Sequence, residues 1–213
     1  REKDPEYLQR LFGNILARDI LVRKGIKNEA VISSLANFII SNVGKIFSYN
    51  NISKQLKIKS VRTTIDYCKY LQESYLIELI PNYSKSIKKQ IVNPKKAYAI
   101  DSGLIKINSL SFSEDLGRVM ENIVFIHLRK KYSKISYFKE DGECDFLIRE
   151  KGKITKAFQV CYKLNEENKI RELNGLKEAM KKTGCKKAII LTLDQEDKEG
   201  GIEIVPVWKW LLS

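Results

Sequence analysis

Two short apolar segments in the second half of the chain most constrain what it can fold into. Residues 143–148 and 157–163 are rich in Phe, Ile, Val and Cys, and a charged turn around Gly152 separates them. This pattern predicts two neighbouring β-strands that are mostly buried. Gln159 interrupts the second strand, and a buried polar group without a partner costs about 1–3 kcal/mol. Gln159 therefore needs either a hydrogen-bond partner or a chemical role.

The residues around this strand pair predict a mixed sheet covered by helices. Side chains alternate along a strand, so Gln159, Cys161 and Lys163 are expected on one face. We predict a helix over 114–132, strands at 135–138, 187–192 and, marginally, 202–206, and an acidic exposed loop over 194–201. A further helix is predicted over 165–182, with inward residues Ile170, Leu173, Leu176, Ala179 and Met180. The order predicts an α/β sandwich with a mixed sheet.

The first half of the chain has the pattern of a winged-helix domain. Residues 5–24 are predicted to form one amphipathic connector helix or a pair of short ones. A helix over 29–43 and then a turn with a short helix over 47–56 follow. A third helix is predicted to begin near Ser60, a suitable N-cap, with an inner face of Val61, Ile65, Cys68 and Leu71. Strands at 75–80 and 97–100 follow, joined by a lysine-rich loop. A short helix, a tight turn and an exposed basic helix are typical of helix-turn-helix DNA readers, and the strand pair would be the wing.

These segments divide the chain into three predicted regions. Residues 1–28 form a helical connector, residues 29–112 a winged-helix domain, and residues 113–213 the mixed-sheet domain. The overall class is α+β, because a mainly helical part precedes an α/β part.

Basic residues concentrate in the predicted winged helix. The net charge is +13, and residues 30–100 contribute +8 of it, with eleven basic and three acidic residues. A basic segment of this kind favours contact with a polyanion, most often double-stranded DNA. The expected phosphate-binding residues are Lys59, Arg62, Lys69, Lys85, Lys88 and Lys89. Winged helices also serve as protein–protein connectors, so a protein partner is the alternative.

Several classes of protein are not expected from this sequence. The longest apolar runs are shorter than the roughly 20 residues of a membrane span, and no signal-peptide pattern is present. Four cysteines without C-x-x-C spacing and a single histidine argue against structural zinc and favour free thiols in the cytoplasm. No phosphate-binding loop of the G-x-x-x-x-G-K-[ST] type occurs, so the chain itself is not expected to bind ATP.

Four short motifs carry a family resemblance. They lie at residues 96–104, 117–122, 143–146 and 158–162. In order and spacing they resemble the C-terminal region of prokaryotic AAA-type ATPases, where a winged helix precedes a PD-(D/E)XK nuclease-like domain of unknown function. The resemblance implies that residues 113–213 form a restriction-endonuclease-like α/β sandwich. The resemblance implies that an ATPase module would precede Arg1, and that ATP would act only through that module.

The resemblance also implies a site. By position in the motifs, Glu121 and Asp145 match the Mg²⁺ ligands of active nucleases of this superfamily, and Glu143 could assist them. Gln159 matches the third ligand position. Carboxylates suit Mg²⁺, which activates water and neutralises phosphate charge. Cys161, however, stands where the pattern requires lysine. Lys163 could replace that amine only by folding back, because two residues span about 6.6 Å along a strand.

Two functions remain open from the sequence. The first is a non-catalytic module of an ATPase that binds DNA or a protein partner, which the basic middle third of the chain and the Cys161 substitution favour. The second is a Mg²⁺-dependent DNA endonuclease that uses Glu121, Asp145, Gln159 and Lys163.

Overall fold

A computed structural model of the chain describes residues 5–108 and 116–213. Helices and strands alternate in it, and a mixed six-stranded sheet dominates the second half, which confirms the predicted α+β class. The described residues form two compact units, 5–79 with 94–108 and 80–93 with 116–213. The predicted domain boundary near residue 112 lies outside the described residues.

The elements of the first half alternate short helices with short strands. In chain order they are α1 (Pro5–Asn14), a π-helical segment (Ile15–Val22), α2 (Glu29–Ser41), β1 (Ile46–Phe47), α3 (Tyr49–Gln55), α4 (Val61–Glu73), β2 (Ile77–Pro81), α5 (Ile87–Val92), β3 (Lys95–Ala99) and α6 (Ser102–Asn108). The strands form a small sheet in the order β1-β3-β2, and β1 pairs antiparallel with β3. The core of this unit is aliphatic, with Ile32, Leu35, Ile40 and Leu71 fully buried.

Side-chain caps fix where the helices of the first unit begin. Asn28, Ser48 and Ser60 each accept a hydrogen bond from the backbone N–H three residues later. An N-cap of this kind satisfies an amide that has no partner inside the helix. The N-cap predicted at Ser60 is therefore confirmed.

The inner face of α4 differs from the prediction. Thr64, Cys68 and Leu71 are fully buried, whereas Val61 and Ile65 are 38% and 37% exposed. Positions 64, 68 and 71 follow one another at steps of four and three, so they share one helix face. Val61 and Ile65 lie at the margin of this face, because the buried positions are centred on the side of Thr64 and Leu71.

The second half of the chain contains the large sheet. Its elements are α7 (Leu116–Lys131), β4 (Ile135–Lys139), β5 (Glu143–Glu150), β6 (Lys153–Val160), α8 (Glu166–Thr183), β7 (Ala188–Thr192), β8 (Asp197–Glu199), β9 (Ile202–Pro206) and α9 (Val207–Leu211). The strand order is β4-β5-β6-β7-β9-β8. Strand β6 pairs antiparallel with β5 and parallel with β7, and β7 pairs parallel with β9. The loop predicted over 194–201 contains the short strand β8, which pairs antiparallel with β9.

Helices cover both faces of this sheet, as predicted. Helix α8 packs Leu173, Leu176 and Ala179 into one core. On the opposite face, Phe125 of α7 contacts Phe146, and Trp210 of α9 contacts Phe158. Phe146 and Phe158 are paired in the β5–β6 register, so their side chains share that face. Ile170, which was predicted to face inward on α8, is 70% exposed.

The segment between β2 and β3 differs from the predicted wing loop. It contains the helix α5, and residues 80–93 belong to the second unit. The backbone of Asn82 bridges to Tyr137 of the edge strand β4, and the Tyr83 N–H donates to the Tyr137 carbonyl at 2.7 Å. The Asn82 side chain also bonds the backbone of Lys139 at 3.2 Å in both directions. Part of the expected wing is thus an added edge segment of the large sheet.

None of the helices within 5–108 and 116–213 combines the length and the hydropathy that crossing a membrane requires.

Candidate functional site

The candidate site lies where strands β5 and β6 stop pairing through their backbones. Backbone pairing of these strands runs from Phe146 with Phe158 to Glu150 with Lys153. One position beyond Phe146, the Asp145 N–H donates to Oε1 of Gln159 at 3.1 Å. In return, the Val160 N–H donates to Oδ2 of Asp145 at 2.9 Å. Two side chains therefore satisfy backbone groups that the sheet leaves unpaired.

The other end of the Gln159 amide meets a carboxylate from α8. Its Nε2 donates to Oε2 of Glu172 at 2.6 Å. The orientation of the amide follows from its neighbours, since its oxygen must face the Asp145 N–H and its nitrogen the carboxylate. Asp145, Gln159 and Glu172 are only 4%, 6% and 7% exposed. Gln159 is thus a buried amide with a partner at each end.

Arg171 supplies the positive charge next to this cluster. Its Nε and Nη2 both donate to Oε1 of Glu172, at 3.1 and 2.6 Å. The Arg171 side chain is 78% exposed, while the Glu172 side chain is 9% exposed. The hydrogen bonds from Arg171 and its attraction to the Glu172 carboxylate raise the pKa of the Arg171 guanidinium above its ordinary value. The guanidinium therefore stays charged at neutral pH.

Local sequence features of α8 place Glu172 at this position. Asn165 caps the helix and forms a reciprocal capping box with Asn168. Gly175 lies one turn after Glu172, and a Cβ added there would come within 2.8 Å of the Glu143 backbone nitrogen and closer still to its carbonyl oxygen. The close approach that glycine permits holds α8 against the start of β5. Glu172 consequently reaches the sheet.

Cys161 cannot replace the lysine that the nuclease pattern requires. Its thiol donates to the Lys163 carbonyl at 3.3 Å, and Asn168 Nδ2 donates to the same oxygen at 2.9 Å. Burial, followed by the negative charge of Glu172, raises the pKa of the Cys161 thiol to about 11. The sulfur is therefore a neutral thiol near pH 7 and offers neither a cation nor a thiolate.

Lys163 lies beyond the strand on which it was predicted. Strand β6 ends at Val160, although hydrogen bonds to β7 and the residues after it continue through Cys161 and Tyr162. Lys163 follows in a bend before α8, and its side chain is exposed. Gln159 and Cys161 both contact α8, as the expected alternation of faces requires, whereas Lys163 is exposed in the bend after the strand.

Glu121 comes from the helix on the opposite face of the sheet. It lies on α7 and is half-buried. Helix α7 packs on the face of Phe146 and Phe158, whereas Gln159 points toward α8. Among the described residues, no group of three or more His, Cys, Asp and Glu side chains is placed to hold a metal ion. The catalytic roles of Glu121, Asp145, Gln159 and Lys163, and metal binding by the first two, stay predictions.

As folded, these residues do not fit a magnesium ion. Mg²⁺ needs octahedral oxygen ligands, usually including one or two carboxylates. Here the Gln159 oxygen accepts a backbone N–H, one Asp145 oxygen does the same, and both Glu172 oxygens accept side-chain donors. The cluster is organised around internal hydrogen bonds instead of an open coordination site.

The predicted nucleic-acid residues of the first unit lie on or just before α4. Lys59, Arg62 and Lys69 are all exposed. Arg62 forms an ion pair with Asp66 at 3.2 Å, and Lys69 forms one with Glu73 at 3.7 Å. Exposed pairs of this kind contribute about 0.3–0.5 kcal/mol, so a phosphate group can replace the carboxylate at little cost.

The other predicted basic residues cluster around α5. Lys85, Lys88 and Lys89 are exposed. Ile87, Ile91 and Val92 of the same short helix are 74%, 67% and 76% exposed, and α5 buries none of its residues. Residues 79–100 contain no acidic residue, and two further lysines of this segment are buried in β3, at positions 95 and 96.

The residues that sequence reasoning missed are Glu172 and Arg171. A signal for Glu172 was present, because it precedes Leu176 and Ala179 by four and seven residues and so shares their inward face. The partner of Gln159 could therefore have been sought on α8. No comparable pattern marks Arg171.

Two family models match the chain. Residues 1–114 match the model described as Domain of unknown function (DUF8612), and residues 116–210 match Domain of unknown function (DUF4143). The first match spans more than half of the chain. The chain belongs to the DUF8612 family.

Two curated relatives of this DUF8612 member match along nearly its whole length. "Uncharacterized protein MJ1544" of Methanocaldococcus jannaschii is 37% identical over 98% of this chain and 50% of its own length. An uncharacterized protein of Haemophilus influenzae is 29% identical over 97% of this chain and 52% of its own length. The chain thus spans about half the length of these relatives. No solved structure matches it.

Proposed function

We propose that this chain is the duplex-DNA-binding region of a longer AAA-type ATPase, and that its second unit is not a catalyst. The resemblance to the C-terminal region of such ATPases supports the context, as does the DUF4143 match over residues 116–210. The relatives are about twice as long as the chain, which leaves room for an ATPase module in the whole protein.

The exposed face of α4 carries the DNA-binding proposal. Lys59 and Arg62 lie at its start, and Val61 and Ile65 are exposed between and after them. Cations meet phosphates, while exposed aliphatic groups are suited to contact the methyl group of thymine in the major groove. The order α3, turn, α4, followed by strands β2 and β3, supports a winged helix, in which α5 takes the place of the predicted loop between the strands.

Duplex binding by Lys59→Ala and Arg62→Ala variants tests this proposal. Affinity for a labelled duplex is measured by fluorescence anisotropy at several salt concentrations. Removing one phosphate contact should reduce the slope of log K against log salt by about 0.9. The slope of the double variant should therefore be shallower by about 1.8, and its binding at low salt should be weaker.

Lys181→Ala is the matched control, because Lys181 is exposed on α8 and its removal changes the net charge by the same amount as each single variant. If the control weakens binding as much as the α4 changes do, the effect is one of net charge alone. Equal affinities for all variants would remove the DNA proposal.

The exposed apolar residues of α5 favour a second candidate function, the binding of a protein partner. Ser86 caps this six-residue helix, and the Gln90 amide donates to the Ser84 carbonyl at 2.6 Å. Isolated helices of this length are unstable in water, so local bonds hold its shape. Ile87 and Ile91, four residues apart, are spaced as the anchors of a helix that docks into an apolar groove. Lys85, Lys88 and Lys89 are exposed around α5, and no acidic residue occurs between Leu79 and Ile100. We therefore expect acidic residues at the rim of the partner's groove.

Two variants separate these candidates at α5. Ile87→Ser with Ile91→Ser should abolish binding to a protein partner and leave duplex affinity unchanged. Lys88→Ser with Lys89→Ser should weaken duplex affinity only if α5 touches phosphates. The partner is first trapped by a photo-crosslinker at position 87 of the full-length protein and then purified. Reconstituted binding that is insensitive to the isoleucine changes would remove the second candidate.

A nuclease assay tests the non-catalytic part of the proposal. Supercoiled and linear DNA are incubated with the purified chain and Mg²⁺ or Mn²⁺. We expect no cleavage. Cleavage that Asp145→Asn abolishes would replace this proposal with the endonuclease function, whereas cleavage that survives the change indicates a contaminant.

A further inference from the structure

The buried cluster of the second unit already contains a cation. Glu172 accepts Nε2 of Gln159 on one oxygen and two guanidinium N–H groups of Arg171 on the other. Oδ2 of Asp145 accepts the Val160 N–H. Gln159 accepts the Asp145 backbone N–H and donates to Glu172. A buried carboxylate is costly unless it is paired and hydrogen-bonded. Glu172 meets both conditions through residues of its own chain.

We propose that the guanidinium of Arg171 is the resident cation of the Asp145–Gln159–Glu172 cluster and excludes a divalent metal ion from it. Arg171 precedes Glu172 on α8 and donates to it from the exposed side. Its planar fork delivers two N–H groups to one oxygen, which a lysine ammonium cannot reproduce with the same geometry. The charge that a metal would neutralise in a nuclease is therefore neutralised permanently by the protein.

This inference deepens the proposal that the second unit is not a catalyst and gives its physical reason. It also assigns a role to two residues outside the nuclease pattern, Arg171 and Glu172. The cation of the site is then Arg171, and Lys163 is not required. Glu143 is the other acidic residue whose charge acts on Arg171, and it lies at the start of β5.

The test compares Mn²⁺ binding and thermal unfolding in the 213-residue chain and its Arg171 variants. Both tryptophans of the chain, Trp208 and Trp210, lie in the second unit, so tryptophan fluorescence reports its unfolding. Wild-type protein should unfold at the same temperature in EDTA and in Mn²⁺. Arg171→Ala should unfold at a lower temperature in EDTA, and Mn²⁺ should restore part of the loss.

Direct binding is measured by the electron paramagnetic resonance signal of free Mn²⁺. Arg171→Ala should bind Mn²⁺ at least about tenfold more tightly than wild type, which corresponds to about 1.4 kcal/mol. Arg171→Lys keeps the charge and loses the planar guanidinium, so its Mn²⁺ affinity should lie between those of wild type and Arg171→Ala. This variant also provides the test if the alanine variant does not fold. Lys181→Ala controls for the loss of one positive charge on α8.

Three results would overturn the inference. One is stoichiometric Mn²⁺ binding by wild type that Glu172→Gln removes. Another is an Arg171→Ala variant with unchanged stability and unchanged Mn²⁺ affinity. The third is an equal gain in affinity in Lys181→Ala. Duplex binding through α4 is measured separately and does not involve Arg171, so a failure of this inference is distinguishable from a failure of the DNA proposal.

Discussion

Replacing Gln159 by glutamate tests whether the amide, and not merely a polar side chain, is required at this position. In the wild type, Nε2 of Gln159 lies 2.6 Å from Oε2 of Glu172. The Gln159→Glu change puts a carboxylate oxygen there, so a donor–acceptor pair becomes two acceptors. Both residues are more than 90% buried. Neither carboxylate can therefore turn to water without disturbing the core.

Two terms set the size of the expected effect at neutral pH. A hydrogen bond to a charged group contributes about 1.5–3 kcal/mol. Two like charges about 4 Å apart repel by roughly 4 kcal/mol at an effective dielectric constant of about 20. Relaxation and proton uptake relieve part of this repulsion. We therefore expect Gln159→Glu to lower the free energy of unfolding of the second unit by about 3–4 kcal/mol at pH 8.

The loss should depend on pH in a defined direction. One proton shared between the introduced carboxyl and Glu172 restores the hydrogen bond, so the pKa of the introduced carboxyl is raised in the folded variant. A group with a raised folded pKa contributes stability that is present below its unfolded value, about 4.3, and lost as pH rises through the folded value. The deficit relative to wild type should therefore be small near pH 4.5 and grow toward pH 8.

Urea unfolding followed by tryptophan fluorescence measures this, because Trp210 contacts Phe158, the neighbour of Gln159. The charge-exchanged variant, Gln159→Glu with Glu172→Gln, is the control. This variant again pairs one amide with one carboxylate, so it should recover much of the unfolding free energy that Gln159→Glu loses, and a double-mutant cycle measures the recovery. A deficit below about 0.5 kcal/mol at pH 8, or one equal at both pH values, would refute this account of Gln159.

Three further changes test neighbouring features. Gly175→Ala should cost about 1–3 kcal/mol, because the new methyl group would collide with the Glu143 backbone; the exposed Asn174→Ala should cost little in the same urea assay, and equal effects would contradict the close packing. Asn165→Ala removes the cap of α8 and should lower the stability by about 1 kcal/mol, seen as a shift of the urea midpoint. Burial, with Lys131 and Lys130 nearby, lowers the pKa of His127 in the folded protein. The unfolded chain therefore takes up a proton more readily, and wild type should lose stability relative to His127→Phe as pH falls below about 6.5. Parallel stability–pH profiles of the two proteins would be inconsistent with that shift.

The sequence predicted those parts of the fold that depend on local patterns. Apolar runs located β5, β6 and β7, and amphipathic spacing located α7 and α8. The N-cap predicted at Ser60 placed the start of α4, which begins at Val61. These signals succeed because a strand or helix that buries one face repeats its apolar residues at a fixed period.

Features that depend on distant contacts were missed. Asn82 and Tyr83 have no periodic pattern, and their place on the edge of β4 follows from pairing with residues more than fifty positions away. The exposure of Val61 and Ile65 reflects which face of α4 the small unit can cover. Burial is a property of the assembled unit, so a helix with two candidate apolar faces does not reveal which of them is inside.

Gln159 shows how a family pattern and a local structure can explain the same residue differently. By the nuclease pattern, Gln159 stands at a position where a charged Asp or Glu ligand is expected. By its contacts, it joins an N–H donor at Asp145 to a carboxylate acceptor at Glu172, at 3.1 and 2.6 Å. A carboxylate cannot do both, because it has no donor when ionised, whereas an amide has an acceptor and a donor on opposite sides. The amide is therefore the side chain that this arrangement requires. Its neutrality follows from the presence of Glu172 and does not depend on whether an ancestral site bound metal.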